Sequence, residues 1–138
     1  MILKRIKNWI HETFERGQYF EIYKKHFYAA KVKYGDNRKE KELGSFYSKL
    51  LSTLGPDKFT ALDQPIKDYF GLGKESFIVA YSIINDCYLD TVAEKKNVIA
   101  EIRQRWKVQN TKNELDIDKI CDLKLIDLIM WSKANKGK

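Results

Sequence analysis

Apolar side chains recur every three or four residues along most of this chain, and that spacing restricts the fold more than any other feature of the sequence. The clearest case is residues 43 to 54, where the apolar stripe is followed by Gly55-Pro56, a pair that ends helices. No sustained alternation of apolar and polar residues predicts a strand. The sequence therefore predicts an all-α fold, a compact bundle of about six or seven helices.

Glycine, proline and charged residues between the apolar segments indicate where each predicted helix begins and ends. Residues 1–35 should hold two helices rich in aromatic side chains, the second ending at Gly35-Asp36, and the mixed charges of Asn37 to Glu42 predict the solvated start of the next helix. Pro65 suits the first turn of a short helix that runs to Phe70. Longer helices are expected at about Lys74 to Asp90, Val92 to Lys107 and Asp116 to Lys133.

Length and composition are typical of one intracellular domain. A chain of 138 residues with few glycines and prolines is expected to form a single helical domain over residues 1–138. Cys87 and Cys121 lie in apolar stretches at a spacing that fits no metal site or disulfide framework, so reduced, buried thiols and a cytoplasmic location are expected. No apolar run is long enough to cross a bilayer, and no motif predicts a metal or a cofactor.

The excess of basic residues is concentrated at the two ends of the chain. Residues 1–46 carry 11 basic and 6 acidic side chains, residues 47–92 carry 4 and 6, and residues 93–138 carry 11 and 7. Nucleic acid releases counterions from its phosphates when it meets such a surface, so DNA or RNA is the partner class that the charge favours. A solvated surface rich in lysine has the same composition and remains the alternative.

One predicted helix near the C-terminus concentrates this charge. Its basic residues, which we expect to contact nucleic acid, are Lys95, Lys96, Arg103, Arg105 and Lys107. Trp106 ends the same helix and could stack on an unpaired base. Its spacing from Ile99 and Ile102 favours a place in the core instead, with the cations as the solvated flank.

Most catalytic constellations are missing from the sequence. It has no glycine-rich phosphate loop, no nucleophile elbow and no His, Cys or carboxylate set at metal-ligand spacing. Arg5 and His11 have the spacing of an Arg and His pair found in some helical ribonucleases, but such pairs arise easily by chance. We favour an ordinary helix face at these positions.

The segment Leu43 to Leu72 resembles the core of helix-hairpin-helix DNA glycosylases. In it an apolar helix leads through a short turn to Leu62-Asp63-Gln64-Pro65-Ile66 and then to a further helix, as in that superfamily. Leu125 to Trp131 is similar to a closing helix of the same group. The resemblance implies a glycosylase-like core over residues 43–133 and a nucleic-acid substrate, and it places Asp63 where the family's Asp faces a flipped nucleotide.

The departures from this family restrict the expected chemistry. Bifunctional glycosylases carry a lysine where this sequence has Ser45, so the covalent lyase route lacks its amine. Of the usual hairpin glycines only Gly44 is present. Asp63 could therefore act only as the carboxylate of a monofunctional enzyme, or it could cap the helix that begins near Pro65, and we favour the cap.

These observations lead to three hypotheses. The first is a nucleic-acid-binding helical domain, related to the glycosylase core and without lyase activity. The second is a small helical module that docks a protein partner through exposed aromatic side chains. The third is a monofunctional glycosylase in which Asp63 is catalytic.

Overall fold

The computed structural model describes residues 18–34, 37–109 and 116–136 of the chain. The first predicted helix and the Arg5 and His11 pair lie outside these ranges. Helices dominate the described residues, so the all-α prediction is confirmed at that level. The helices are α1 (Gln18–His26), α2 (Gly44–Leu54), α3 (Gln64–Tyr69), α4 (Phe77–Glu94), α5 (Lys96–Gln109) and α6 (Asp122–Ala134), with a 3₁₀ turn at Ile117–Lys119 before α6. None of the helices described combines the length and apolar content needed to cross a bilayer.

Helix α4 lies at the centre of the packing. It contacts α2, α5 and α6, and α3 packs on α6. One face of α4 contributes Ala80, Tyr81, Ile84 and Tyr88 to the core, all at most 2% exposed. This face meets Leu51 of α2 and the leucines of α6, so a single apolar cluster joins these helices.

A two-stranded antiparallel hairpin interrupts the helices and was not predicted. Strands β1 (Ala30–Tyr34) and β2 (Asn37–Lys41) pair in register, from Ala30 opposite Lys41 to Tyr34 opposite Asn37. The predicted helix at Asn37 to Glu42 is therefore wrong, and α1 ends at His26 instead of continuing to Ala30. In this segment the pairing of two short strands satisfies backbone groups that a helix would otherwise satisfy locally.

Other helix boundaries follow the predicted punctuation with some shifts. The short helix α3 has Pro65 in its first turn and ends before Gly71, whose φ of +72° suits glycine, as expected. The predicted helix from Asp116 to Lys133 is divided in two, because the 3₁₀ turn is followed by extended residues before α6 begins at Asp122. Helix α4 starts later than predicted and continues to Glu94.

The two cysteines differ from the prediction in burial. Both are free thiols, as expected, but Cys87 is exposed and Cys121 is half-buried. Cys87 lies one helical turn after Ile83, which is 50% exposed, so both belong to the outer face of α4. The apolar stretch around Cys87 forms a helix, α4, that is buried on one side only, so an apolar sequence did not imply a buried thiol.

Candidate nucleic-acid interface

Arg103, predicted to contact nucleic acid, is held inside the protein. Its guanidinium donates to the carbonyl oxygens of Ile117 and Ile120 at 2.5 and 2.7 Å and pairs with Asp122 at 2.5 Å. The side chain is 16% exposed. These bonds satisfy backbone groups of the 3₁₀ turn and of the extended residues before α6. Arg103 therefore fastens α5 to the segment that leads into α6.

The other predicted cations, Lys95 directly before α5 and three residues within α5, are divided between paired and unpaired groups. Arg105 pairs with Glu101 at 2.6 Å on the same exposed helix face, and Lys107 pairs with Asp118. Lys95 and Lys96 are exposed, and no ion pair is formed by either of them within the described ranges. Trp106 packs against the core beside Ile102, which confirms its predicted place.

A second basic region, residues 24–49, spans the end of α1, the hairpin and the start of α2. It contains eight basic and three acidic residues. The ten strand residues alone carry five basic side chains and one acidic one, Glu40. A basic two-stranded ribbon is one of the elements with which proteins enter nucleic-acid grooves or follow the backbone.

Outside the strands, the cations of this basic region are exposed. Lys24 and Lys25 lie in the last turn of α1, and Lys49 lies on the outer face of α2. Among the residues that the structure describes, none of these three lysines forms an ion pair. Their charges are therefore available to an anionic partner, in contrast to that of Arg103.

Two exposed aromatic residues flank the hairpin in the sequence. Tyr28, just before β1, is 58% exposed, and Phe46, in the first turn of α2, is 57% exposed. Phe46 shares the outer face of α2 with Lys49, three residues later. The two ends of the hairpin are adjacent, because Ala30 pairs with Lys41.

Buried tyrosines connect the hairpin to the core. Tyr23 of α1 is 1% exposed, and its hydroxyl donates to the carboxylate of Glu42 directly after β2. Burial, followed by this bond to Glu42, raises the pKa of Tyr23 above its usual range. The Leu43 N–H also donates to the carbonyl oxygen of Phe27 at 2.9 Å. The residues that follow β2 are thus tied to α1 and to the residue directly after it.

The segment between α2 and α3 is fixed by side chains of its two neighbours. Asn85 of α4 accepts from the Thr60 N–H at 2.8 Å and donates to the Lys58 carbonyl at 3.1 Å. Ser48 of α2 accepts from the Leu62 N–H at 2.9 Å. These buried bonds satisfy the backbone of a connection that has no regular structure. They place the following residue, Asp63, at the start of α3.

Asp63 caps α3, as we favoured from the sequence. Its Oδ1 accepts from the Ile66 N–H at 3.2 Å, and Pro65 occupies the first turn. Asp63 also lines a pocket of about 320 Å³ between the starts of α2, α3 and α4. Ser45 lines the same pocket. It is the residue at the position where the glycosylase resemblance would place a lysine.

Lys67 also lines this pocket and was missed by the sequence interpretation. It is 8% exposed, and its ammonium donates to the Glu75 carbonyl oxygen at 3.0 Å. No side-chain pattern in the sequence marks it, because its acceptor is a backbone carbonyl group eight residues later. No group of three or more residues able to hold a metal is found in the part of the chain described.

The aromatic side chains near Asp63 contribute to the core more than to the pocket. Tyr47 and Phe59 are buried, and Phe70 packs against the central cluster. Tyr69 is 50% exposed. Phe77 is the aromatic residue that lines the pocket, and a Cβ at Gly44 would overlap its ring, which explains the glycine at the start of α2.

Comparisons with models of protein families, with curated proteins and with solved structures find no match to this chain.

Proposed function

We propose that this protein binds nucleic acid through the basic region, residues 24–49. The observation that carries the proposal is the excess of eight basic over three acidic residues in a region whose helical lysines, Lys24, Lys25 and Lys49, form no ion pair within the described chain. Cations that have no partner can neutralise phosphates and release their counterions.

The order of elements after the hairpin supports a relation to the glycosylase core. Helix α2 leads through an irregular connection to the capping residue Asp63 and then to α3, which is the order that the resemblance implies. On this proposal the core positions the basic region beside the nucleic acid. On the same proposal the protein lacks the lyase chemistry of bifunctional glycosylases, since Ser45 stands where the resemblance places their lysine.

The test is the anisotropy of labelled DNA and RNA oligonucleotides titrated with the whole protein over a series of salt concentrations. Because binding depends on counterion release, we expect the logarithm of the affinity to fall linearly with the logarithm of the salt concentration. An affinity that does not change between about 50 and 200 mM salt, or no binding at the lower salt, would contradict the proposal.

The pocket favours a second candidate function, base removal by a monofunctional enzyme. Asp63 and the buried residue Lys67 both line a pocket of about 320 Å³. A carboxylate in this setting can stabilise a cationic sugar or orient a water molecule once the base has left the stack.

Two substitutions at Asp63 separate catalysis from capping. Asp63→Asn keeps an oxygen acceptor for the Ile66 N–H but removes the charge, so it should abolish base release from damaged DNA and leave the melting temperature unchanged. Asp63→Ala should lower the free energy of unfolding by about 1 kcal/mol. Base release that persists in Asp63→Asn would exclude a catalytic carboxylate.

A further inference from the structure

We propose that the partner of the basic region is a single-stranded nucleic acid whose unpaired bases stack on Tyr28 and Phe46. This inference rests on the proposed function and names its substrate class. It follows from two exposed rings that flank the hairpin in the sequence, close in sequence to Lys24, Lys25 and Lys49, which are exposed and form no ion pair in the described chain.

Each of the two rings packs against a second aromatic ring. The ring centroids of Tyr28 and Tyr23 lie 6.4 Å apart in an edge-to-face arrangement, and those of Phe46 and Phe27 lie 6.3 Å apart. The second rings, Tyr23 and Phe27, belong to one cluster because both contact Tyr47. The ring centroid of Tyr47 lies 5.3 Å from that of Tyr23 and 4.6 Å from that of Phe27. Rings that are already ordered lose little conformational freedom when a base stacks on them.

Each exposed ring keeps a surface for a ligand. Within the described chain, Tyr28 and Phe46 each contact a single other ring, and more than half of each side chain is exposed. A base stacks through its face, and in a duplex that face is covered by the neighbouring base pairs. Exposed rings therefore favour unpaired bases over a double helix.

The surrounding charges suit the backbone of such a strand. Lys24 and Lys25 precede Tyr28 by four and three residues, and Lys49 follows Phe46 by three. All three are exposed. Cations that alternate with aromatic rings are the arrangement by which proteins hold a single strand without reading its sequence, through phosphate contacts and stacking together.

The experiment compares a single-stranded oligonucleotide with the duplex of the same sequence, for the whole protein and four alanine variants. The single strand should bind more tightly than the duplex. Tyr28→Ala and Phe46→Ala should each weaken single-strand binding by about tenfold and change duplex binding little. Tyr69→Ala and Trp131→Ala are matched controls, since these residues are 50% and 52% exposed elsewhere, and they should have no effect.

The outcomes separate this inference from the proposal on which it rests. Equal or tighter binding of the duplex would overturn the single-strand assignment and leave nucleic-acid binding intact. Unchanged single-strand affinity in both Tyr28→Ala and Phe46→Ala, with circular dichroism showing folded variants, would also overturn it and assign the rings to a different partner, such as a protein. Absence of binding to either form would refute the proposed function itself.

Discussion

The protein has two basic regions whose charges are used differently. In α5, Arg103, Arg105 and Lys107 are each paired with a carboxylate, and Arg103 also binds two backbone carbonyl groups. In residues 24–49 the helical lysines have no acidic partner within the described chain. The C-terminal third of the chain has as many basic residues as the N-terminal third. In α5, however, three of these cations are already paired with carboxylates and are therefore less available to a ligand.

The difference shows that the charge of a segment does not predict its role. Arg103 and Lys107 of α5 meet acidic residues that follow 11 or more positions later, Asp122 and Asp118, so these two pairs exist only after folding. Lys24, Lys25 and Lys49, on the helices beside the hairpin, are exposed and form no ion pair within the described chain. Available charge, not total charge, is what a nucleic acid encounters.

The largest effect is expected at Arg103. Replacing it by alanine leaves the Ile117 and Ile120 carbonyls and Asp122 without their donor, so Arg103→Ala should lower the free energy of unfolding by about 3 kcal/mol. Chemical denaturation measures this change.

Arg105→Ala is the matched control for that measurement. Arg105 is 73% exposed and pairs within one helix turn, so its loss should cost less than about 0.5 kcal/mol. Similar losses in the two variants would mean that α5 does not contain the division between structural and surface cations described above.

A smaller effect, on the affinity for nucleic acid, is expected when the charges of two adjacent lysines are reversed in either basic region. The double variant Lys24→Glu/Lys25→Glu should weaken binding of an oligonucleotide by about tenfold or more and reduce the salt slope by about two, because two phosphate contacts are lost.

Lys95→Glu/Lys96→Glu tests the opposite region with the same change of charge. These lysines are exposed and unpaired in the described chain, as Lys24 and Lys25 are, so the two double variants differ only in position. We expect the α5 variant to retain most of the affinity. If it loses more than the α1 variant, the interface lies on α5, as the sequence first indicated.

Two tyrosine substitutions test how the basic region is attached to the core. Tyr23→Phe removes the bond to Glu42 and should lower the free energy of unfolding by about 1 kcal/mol. Tyr88→Phe is the control, because the Tyr88 hydroxyl is buried with no hydrogen-bond partner found in the described structure, and its removal should cost nothing. Thermal or denaturant unfolding of both variants checks the difference, and a larger loss in Tyr88→Phe would contradict it.

The smallest effect is a loss of stability at high pH. Burial and Glu42 raise the pKa of Tyr23, and burial with Asp127 raises that of Tyr88. A phenol with a raised pKa in the folded state stabilises it fully below its unfolded pKa of about 10, and that stability is lost as the pH rises further. Above about pH 10, the denaturant concentration at the midpoint of unfolding should therefore decrease as the pH rises. The decrease should be smaller in the double variant Tyr23→Phe/Tyr88→Phe.

Local signals were sufficient for helices α2 and α3 and for the cap at Asp63. Gly55-Pro56 and Pro65 mark boundaries through backbone geometry, which depends on adjacent residues alone, and α2 and α3 lie close to their predicted positions. Trp106 is placed by the helical spacing of its apolar neighbours.

The hairpin has a weak local signal in the sequence. Ala30 to Tyr34 alternates apolar residues with lysines, and Gly35-Asp36 separates the two strand sequences by two residues, a spacing common in hairpins. Five residues are too few to stand out from the helical pattern around them.

Arg103 and Lys67 could not be assigned from sequence, because their partners come from tertiary structure. The acceptors of Arg103 lie 14 to 19 residues away, and the acceptor of Lys67 is a backbone carbonyl eight residues later. Backbone acceptors are present at every residue, so no side-chain pattern identifies the one that a buried cation meets.

The most direct test of the nucleic-acid interface is backbone NMR of the whole protein during titration with a single-stranded oligonucleotide. The amide signals of residues 24–34 and 37–49 should shift with the concentration of the strand, and those of α5, Lys96–Gln109, should stay in place. Shifts concentrated on α5, or none in the hairpin at saturation, would contradict the assignment of the basic region as the binding surface.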